Sequence, residues 1–196
     1  MTIQELKDLT PKIVVVGIHQ HIIQSILDYD YLIGRDSPSI VAIYAGGRHF
    51  ARFFYGNHEI LLPVHSTLAS VPPQTKQEVN MMVNVASGRR VLTSTVEIIN
   101  NFQNMKLGTI FAEGVPEKHS IDLFEFAKDK NVTLIGSSSV GMVLPNHLKL
   151  GAIGGISQKQ IFSSGILNKG GVCVLSASGG MVNEIINVVN GTHNKI

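Results

Sequence analysis

Cysteine is scarce in this sequence of 196 residues, in which Cys173 is the one cysteine. A single cysteine excludes an internal disulfide and a cysteine-based zinc site. No apolar run approaches the roughly 18 residues of a membrane-spanning helix. Residues 1–10 lack the basic-then-apolar order of a signal peptide. We therefore expect a soluble protein of a reducing, cytoplasmic compartment that has no membrane partner.

Charge is scarce as well. Charged residues make up 15% of the sequence and the formal net charge is +2, which gives no basic surface for a nucleic-acid partner. His19 and His21 do not form a metal-binding pair, because residues two apart diverge on a helix. We expect no metal site.

Several local motifs that identify enzyme classes are missing. Gly17 follows the first predicted strand, but the Gly-x-Gly-x-x-Gly motif of dinucleotide-binding folds is absent, and so is a P-loop. No Gly-x-Ser-x-Gly elbow of a serine hydrolase occurs. An NAD-dependent Rossmann enzyme is therefore a weak alternative.

Strands and helices alternate along the chain. Short apolar runs end in turns rich in glycine and serine, and amphipathic segments follow several of them, which predicts an α/β fold with a mostly parallel sheet. The strands are predicted at 12–16, 40–44, 49–55 (an edge strand), 80–85, from 107, 132–135 and 171–175, and a further apolar run lies at 60–64. The helices are predicted at 3–9, 19–28, about 91–102, after Pro116 and from Met181 to Gly191.

The segment 107–116 is the centre of this pattern. It begins as a buried strand and ends at Glu113, with Gly114 allowing a sharp turn and Pro116 starting a helix. The apolar stripe of that helix is predicted to contain Ile121, Phe124 and Ala127. Ligands of open α/β sheets bind beyond the carboxyl ends of the strands, so Glu113 is a candidate site residue. On its own, Glu113 is equally compatible with a carboxylate that stabilises the helix N-terminus.

A set of motifs occurs in a specific order at 28–31, 35–39, 54–64, 84–87, 112–116, 136–145 and 176–184. In order and spacing they resemble the CoA-binding, succinyl-CoA-synthetase-α-like region of the ATP-citrate lyase and succinyl-CoA synthetase superfamily. The resemblance extends from about residue 12 to residue 190. It implies a Rossmann-like CoA-binding domain at 10–165, followed at 166–196 by the incomplete start of a flavodoxin-like ligase domain.

The resemblance also implies a CoA site at the ends of three strands. Backbone N–H groups at a helix N-terminus favour the phosphates, and arginine donates two parallel bonds to a phosphate. The implied CoA-binding residues are Gly17, His19, Gln20, His21, Ser87, Arg89, Arg90, Phe111, Ala112 and Glu113. Taken alone, Arg89 and Arg90 are more typical of a solvated helix start, whereas in the family context we expect one of them to contact the ligand.

In the second domain the resemblance implies half of a phosphohistidine-binding hole, formed by Ser176, Ser178, Gly179 and Gly180. One of the two serines is also expected to cap the helix, and Asn183 is the implied contact of the acyl substrate. Ala177 replaces an arginine that is usual in the family. We expect Cys173 to pack in the core, because it lies in a predicted buried strand.

The implied function is the CoA-binding portion of an ATP-dependent acyl-CoA synthetase or lyase, most similar to ATP-citrate lyase. The complete enzyme would convert citrate, CoA and ATP to acetyl-CoA and oxaloacetate. None of the eight histidines follows a glycine, so the phosphohistidine loop of the family is missing. ATP and Mg²⁺ would bind only through domains outside this sequence. The chain alone is therefore not expected to be active.

The implied partners are CoA, citrate or another small carboxylic acid, and a second copy or a partner subunit. The apolar face of the last helix, around Met181, Ile185 and Val189, would need something to pack against. A different class of function stays open, in which the chain is a non-catalytic module that binds CoA or a nucleotide, or an assembly partner.

Overall fold

The computed structural model describes residues 1–192, which divide into two compact units. The first unit consists of Met1–His19, Ser39–Phe53 and Ile60–Ser139, and the second of Gln20–Pro38, Phe54–Glu59 and the residues from Val140 onward. The boundary predicted between residues 165 and 166 lies inside the second unit. The assignment of 166–196 as the start of a ligase domain stays a prediction. Within residues 1–192, no helix has both the length and the apolar composition needed to cross a membrane.

Seven strands form a mostly parallel sheet in the order β3-β4-β2-β1-β5-β6-β7. The strands are β1 (Ile13–Val16), β2 (Ile40–Tyr44), β3 (Phe50–Tyr55), β4 (His58–His65), β5 (Met81–Asn84), β6 (Leu107–Ile110) and β7 (Thr133–Ile135). All residues of β1, β5 and β6 are buried, as expected for central strands covered on both faces. The predicted α/β class, the strands β1, β2, β3, β5, β6 and β7, and the edge position of β3 are confirmed, whereas β4 had been noted only as an apolar run.

Seven α-helices, a short 3₁₀-helix (Leu68–Ser70) and a hairpin complete the regular structure of the described residues. The helices are α1 (Ile3–Asp8), α2 (Gln20–Leu32), α3 (Pro73–Glu78), α4 (Val91–Asn101), α5 (Glu117–Asp129), α6 (Gln158–Ser163) and α7 (Gly179–Asn190), and the hairpin joins β8 (Gly141–Leu144) to β9 (Leu148–Gly151). The sequence interpretation missed α3, the hairpin and α6. Helix α6 has a local signal, because Ser157 and Gln160 form a capping box at its start.

The core of the first unit lies between the sheet and its helices. It contains Val16, Ile98, Phe102, Ile110, Leu123, Ala127 and Leu134. The stripe predicted for α5 is partly wrong. Leu123 and Ala127 are buried, whereas Ile121 and Phe124 are 50% and 45% exposed. Positions three apart drift around a helix of 3.6 residues per turn, and the buried face follows the four-residue spacing instead.

The second unit has its own small core. Tyr29, Ile153, Ile161, Ile166, Val182 and Ile186 pack together. Helix α7 therefore buries Val182 and Ile186, while Met181 is 61% exposed. The prediction that the buried face is centred on Met181 is wrong, because the buried residues lie one position further along the helix.

The strand predicted at 171–175 is absent. This segment is irregular in the structure, Cys173 is exposed, and Leu175 is 92% exposed. The prediction that Cys173 packs in the core is wrong. β-Propensity reflects packing on a pleated surface, and none of the nine described strands pairs with this segment.

Candidate functional site

A cavity of about 310 Å³ lies at the carboxyl ends of the central strands of the first unit. Val16 at the end of β1 is in register with Tyr44 of β2 and with Asn84 of β5, so the turns that follow these three strands lie side by side. The lining residues are Val16, Gly17, Ile18, Tyr44, Ala45, Gly46, Ser66, Ala86, Ser87 and Arg90. The cavity therefore occupies the edge of the sheet where ligands of this architecture bind.

Gly17 allows two of these turns to approach closely. Its φ is +89°, and a Cβ atom at this position would lie 3.3 Å from the backbone nitrogen of Ala86. Its own N–H donates to the carbonyl oxygen of Tyr44 at 2.9 Å. Glycine adopts this backbone conformation without the strain that a side chain would add, and the result is a tight backbone wall on one side of the cavity.

The turn after β5 is fixed from beneath by Asn84. This side chain is fully buried and donates to Ser94 Oγ and to Thr95 Oγ1 on α4, both at 3.0 Å. Its own oxygen accepts the N–H of Ala86 at 3.0 Å. A buried amide that makes all of these bonds holds the turn in one conformation.

Of the two predicted arginines, Arg90 lines the cavity and Arg89 does not. The N–H of Arg90 donates to the carbonyl oxygen of Ser87 at 2.8 Å, and its carbonyl oxygen accepts the N–H of Ser94. Arg90 thus occupies the N-cap position of α4. It brings a guanidinium to the same wall as the hydroxyl of Ser87, a combination that suits a phosphate.

Tyr44 lines the cavity and was missed by the sequence interpretation. Its hydroxyl donates to Glu97 Oε2 at 3.2 Å. Burial raises the pKa of Tyr44, and the Glu97 carboxylate raises it further. The hydroxyl is thereby engaged on the protein side, so Tyr44 contributes its ring to the cavity. Ala45, Gly46 and Ser66 were missed as well.

The predicted segment Phe111, Ala112 and Glu113 lies at the neighbouring strand end and does not line the cavity. The N–H of Phe111 donates to the carbonyl oxygen of Asn84 at 3.0 Å. A Cβ atom on Gly88 would lie 2.8 Å from the carbonyl oxygen of Glu113. The structure thus brings the turns after β5 and β6 into contact, and leaves the Glu113 side chain exposed.

The remaining predicted residues of this group, His19, Gln20 and His21, lie at the start of α2. All three are exposed, and none of them lines the cavity. Across the described residues, no group of three histidine, cysteine, aspartate or glutamate side chains is placed to hold a metal ion.

In the second unit, the predicted phosphate-hole residues begin helix α7. Ser178 caps the helix, its Oγ accepting the N–H of Met181 at 3.4 Å. Ser176 Oγ donates to the carbonyl oxygen of Ser178 at 3.0 Å. A Cβ atom on Gly179 would lie 2.7 Å from the Val140 side chain, whereas Gly180 has open space. The expectation that one serine caps the helix is confirmed for Ser178.

A second cavity, of about 170 Å³, lies within this unit. Its lining residues are Gly154, Gly155, Gln160, Ser163, Ser164, Asn183 and Asn187. Asn183 Oδ1 accepts the N–H of Gly154 at 3.0 Å. Asn183 is therefore the one predicted residue of the second unit that lines this cavity, and the wall consists of neutral amides, hydroxyls and glycine backbone.

Comparison with known proteins gives these two sites a context. The chain is 37% identical over 180 residues to a probable ATP-citrate synthase subunit 1 of Schizosaccharomyces pombe, a match that covers 91% of this chain and 29% of the relative. It is 36% identical over 183 residues to the human ATP-citrate synthase, which covers 92% of this chain and 16% of the human protein. No protein-family model matches the chain.

The solved structure of ATP citrate lyase from Methanothrix soehngenii, in complex with citrate and coenzyme A, superposes with a TM-score of 0.87. Its identity to this chain is 33%, and the match covers 95% of this chain and 30% of that one. The chain is homologous to one part of ATP-citrate lyase. The predicted family and the Rossmann-like α/β fold are thereby confirmed.

The superfamily match is confined to one part of the relatives. The chain spans less than a third of the fission-yeast, human and archaeal proteins, so the other parts of an ATP-citrate lyase have no counterpart within it.

Proposed function

We propose that the first unit binds coenzyme A in the cavity at the ends of β1, β2 and β5. The observation that carries this proposal is the juxtaposition of Gly17, Ser87 and Arg90 in one cavity, within a chain that is 33% identical to an enzyme solved with coenzyme A. Tight glycine backbone and an arginine fit a pyrophosphate, whose oxygens accept N–H donors. A cavity of 310 Å³ is at the lower limit for ligand pockets of about 300–1,000 Å³, so it takes one end of CoA.

The complete activity is part of the same proposal. Together with the parts of ATP-citrate lyase that lie outside this sequence, the chain would serve the conversion of citrate, CoA and ATP to acetyl-CoA and oxaloacetate. In that enzyme Ser176, Ser178, Gly179 and Gly180 would bind the phosphoryl group, and Asn183 would contact the acyl substrate. Citrate or another small carboxylic acid, a second copy or partner subunit, and a cytoplasmic location complete the proposal.

Calorimetric titration with CoA, using dephospho-CoA and NAD as comparators, tests the CoA site. We expect saturable binding that prefers CoA. Arg90→Ala should weaken binding about 10- to 150-fold, since a hydrogen bond to a charged group contributes about 1.5–3 kcal/mol. Arg89→Ala tests the neighbouring arginine, which does not line the cavity. Lys128→Ala on α5 is the matched control for removal of one positive charge.

If Arg90→Ala binds CoA as tightly as the wild type, the assignment of Arg90 is wrong. If the wild type prefers NAD, the whole CoA proposal is wrong.

A second candidate function is a non-catalytic CoA-binding module, which Ala177 favours because the family usually has an arginine at this position. Adding the missing parts of a homologous ATP-citrate lyase distinguishes the two functions. Formation of acetyl-CoA supports the enzyme, and CoA binding without turnover supports the module.

A further inference from the structure

Lys149 is a buried lysine in the second unit. It lies on β9 and is 1% exposed. Its Nζ donates to the carbonyl oxygen of Gly151 at 2.5 Å and to Ser25 Oγ on α2. Lysine is almost never fully buried unless it is paired, yet among the described residues Lys149 forms no ion pair. A lysine that is buried without an ion pair must be stabilised by the other contacts of its side chain.

Those contacts form a chain of hydrogen bonds that ends on a glycine-rich loop. Ser25 Oγ accepts from Lys149 Nζ and donates its own proton to the carbonyl oxygen of Gly155 at 3.1 Å. Lys149 thus reaches both ends of the loop 151–155, directly at Gly151 and through Ser25 at Gly155. Consecutive hydrogen bonds in a buried environment strengthen one another.

The opposite side of the same loop forms a wall of the second cavity. Gly154 and Gly155 line that cavity, and the N–H of Gly154 donates to Asn183 Oδ1 at 3.0 Å. Gly155 packs so closely on α6 that a Cβ atom would lie 2.3 Å from Gln160 Cβ. The loop is therefore held on one side by Lys149 and Ser25, and it presents its other side to the cavity.

The protonation state of Lys149 is coupled to this geometry. Burial lowers the pKa of Lys149 to about 7, and Asp28 on α2 acts in the opposite direction. Asp28 Oδ1 is itself occupied by Gln24 and Gln158, at 2.9 Å and 3.0 Å. A neutral amine has two N–H donors, which match the two acceptors Gly151 and Ser25. An ammonium group has a third donor.

Charged groups other than Asp28 do not affect the pKa of Lys149. β8 contains no titratable residue, Lys159 on α6 is exposed, and neither Lys159 nor His147 contributes to the shift in the pKa of Lys149. Asp28 is therefore the one charge that acts on Lys149 from the elements packed around it.

We propose that Lys149 is a positioning residue of the second cavity, which holds Gly154 and Gly155 in place through Gly151 and Ser25. Protonation of the amine adds a third N–H donor to a group whose two acceptors are Gly151 and Ser25, which disturbs this arrangement and weakens ligand binding at the loop. The inference rests on the proposed function only for the identity of the ligand, a small carboxylic acid for which citrate is the probe.

Backbone NMR of the ¹⁵N-labelled full chain tests the positioning role without any ligand. In the wild type we expect the amide resonances of Gly154 and Gly155 to titrate together with a midpoint near pH 7. Lys149→Met keeps a side chain of similar length without the amine and should abolish this titration. Lys159→Met, which removes an exposed lysine of the same unit, should leave it unchanged.

Ser25→Ala supplies a second variant in case Lys149→Met does not fold. It should remove the titration of Gly155, which depends on the Ser25 hydroxyl, more strongly than that of Gly154. Persistence of the full titration in either Lys149→Met or Ser25→Ala would overturn the proposal.

Titration of the same variants with citrate tests the positioning role of Lys149 separately from the identity of the ligand. If citrate binds the wild type, we expect at least a tenfold weaker affinity in Lys149→Met, and a wild-type affinity that falls as the pH drops below 7. Equal affinity in the two proteins would contradict the positioning role. If the amide resonances of Gly154 and Gly155 titrate but citrate does not bind, the positioning role is supported and citrate is refuted as the ligand. CoA binding by the first unit is measured separately, so its failure is distinguishable from either result.

Discussion

At the scale of single residues, Gly17 has the most direct effect on the shape of the CoA cavity. Gly17→Ala should lower the free energy of unfolding by about 1–3 kcal/mol, because a positive φ strains any residue with a side chain. The new Cβ would also meet the Ala86 backbone at 3.3 Å, so CoA affinity should fall as well. Chemical denaturation and calorimetry measure the two effects.

Gly34→Ala is the matched control for Gly17→Ala. Gly34 has a φ of +76° and no heavy atom within 4 Å of an added Cβ, so this variant introduces backbone strain without a contact in the cavity. We expect Gly34→Ala to lose stability and keep CoA affinity. Equal CoA affinity in the two variants would mean that the close approach of Gly17 to Ala86 does not shape the site.

At the residue scale, Gly17, Ser87 and Arg90 were predicted because the turns that hold them resemble those of the CoA-binding region of ATP-citrate lyase. Each of these turns follows a predicted strand, and parallel strands end at the same edge. Tyr44 and Ser66 were missed because their place beside β1 depends on the order of strands in the sheet. That order arises from long-range packing, which a local pattern does not contain.

At the scale of secondary-structure elements, the buried face of α5 gives a direct test of packing. Leu123→Ala should lower the free energy of unfolding by about 2–5 kcal/mol, since it removes a side chain that is 2% exposed and leaves a cavity. Ile121→Ala, on the same helix at a side chain that is 50% exposed, should change it by no more than about 0.5 kcal/mol. Urea denaturation of both variants measures the difference. Comparable losses would show that the stripe predicted from three-residue spacing is the buried one.

The elements also show where local patterns stop being informative. β1, β5 and β6 were predictable because four consecutive buried residues form an apolar run that few other structures produce. The segment 171–175 has the same kind of composition and is irregular, because a strand requires a neighbour with which to pair. Helix α6 has only six residues, too short for a periodic pattern, so its capping box was the one available signal.

At the scale of the whole molecule, the buried amine of Lys149 makes stability depend on pH. The pKa of Lys149 is lowered from 10.5 to about 7 by burial, so between these values the unfolded chain binds one proton more than the folded chain. Stability then rises with pH, by about 1.4 kcal/mol per pH unit. Below pH 7 the lysine is protonated in both states, and this contribution no longer changes with pH.

The phenol groups of Tyr29 and Tyr55 in the second unit lower the stability of the protein at higher pH. Burial raises the pKa of Tyr29 and raises that of Tyr55 to about 12, from an ordinary value of 10. The unfolded chain therefore loses these protons first, and stability falls above about pH 10. The rise that Lys149 causes is accordingly best measured between pH 7 and roughly pH 9.5.

Denaturation of the wild type and of Lys149→Met across that window isolates the effect of the lysine. The difference in the free energy of unfolding between the two proteins should grow in favour of the wild type as the pH rises, because methionine has no proton to release. Lys159→Met should follow the wild type, since an exposed lysine has a similar environment in the folded and unfolded chains. A difference between the wild type and Lys149→Met that stays constant with pH would show that Lys149 remains charged in the folded protein, and the free amine could then not be the form that positions the glycine loop.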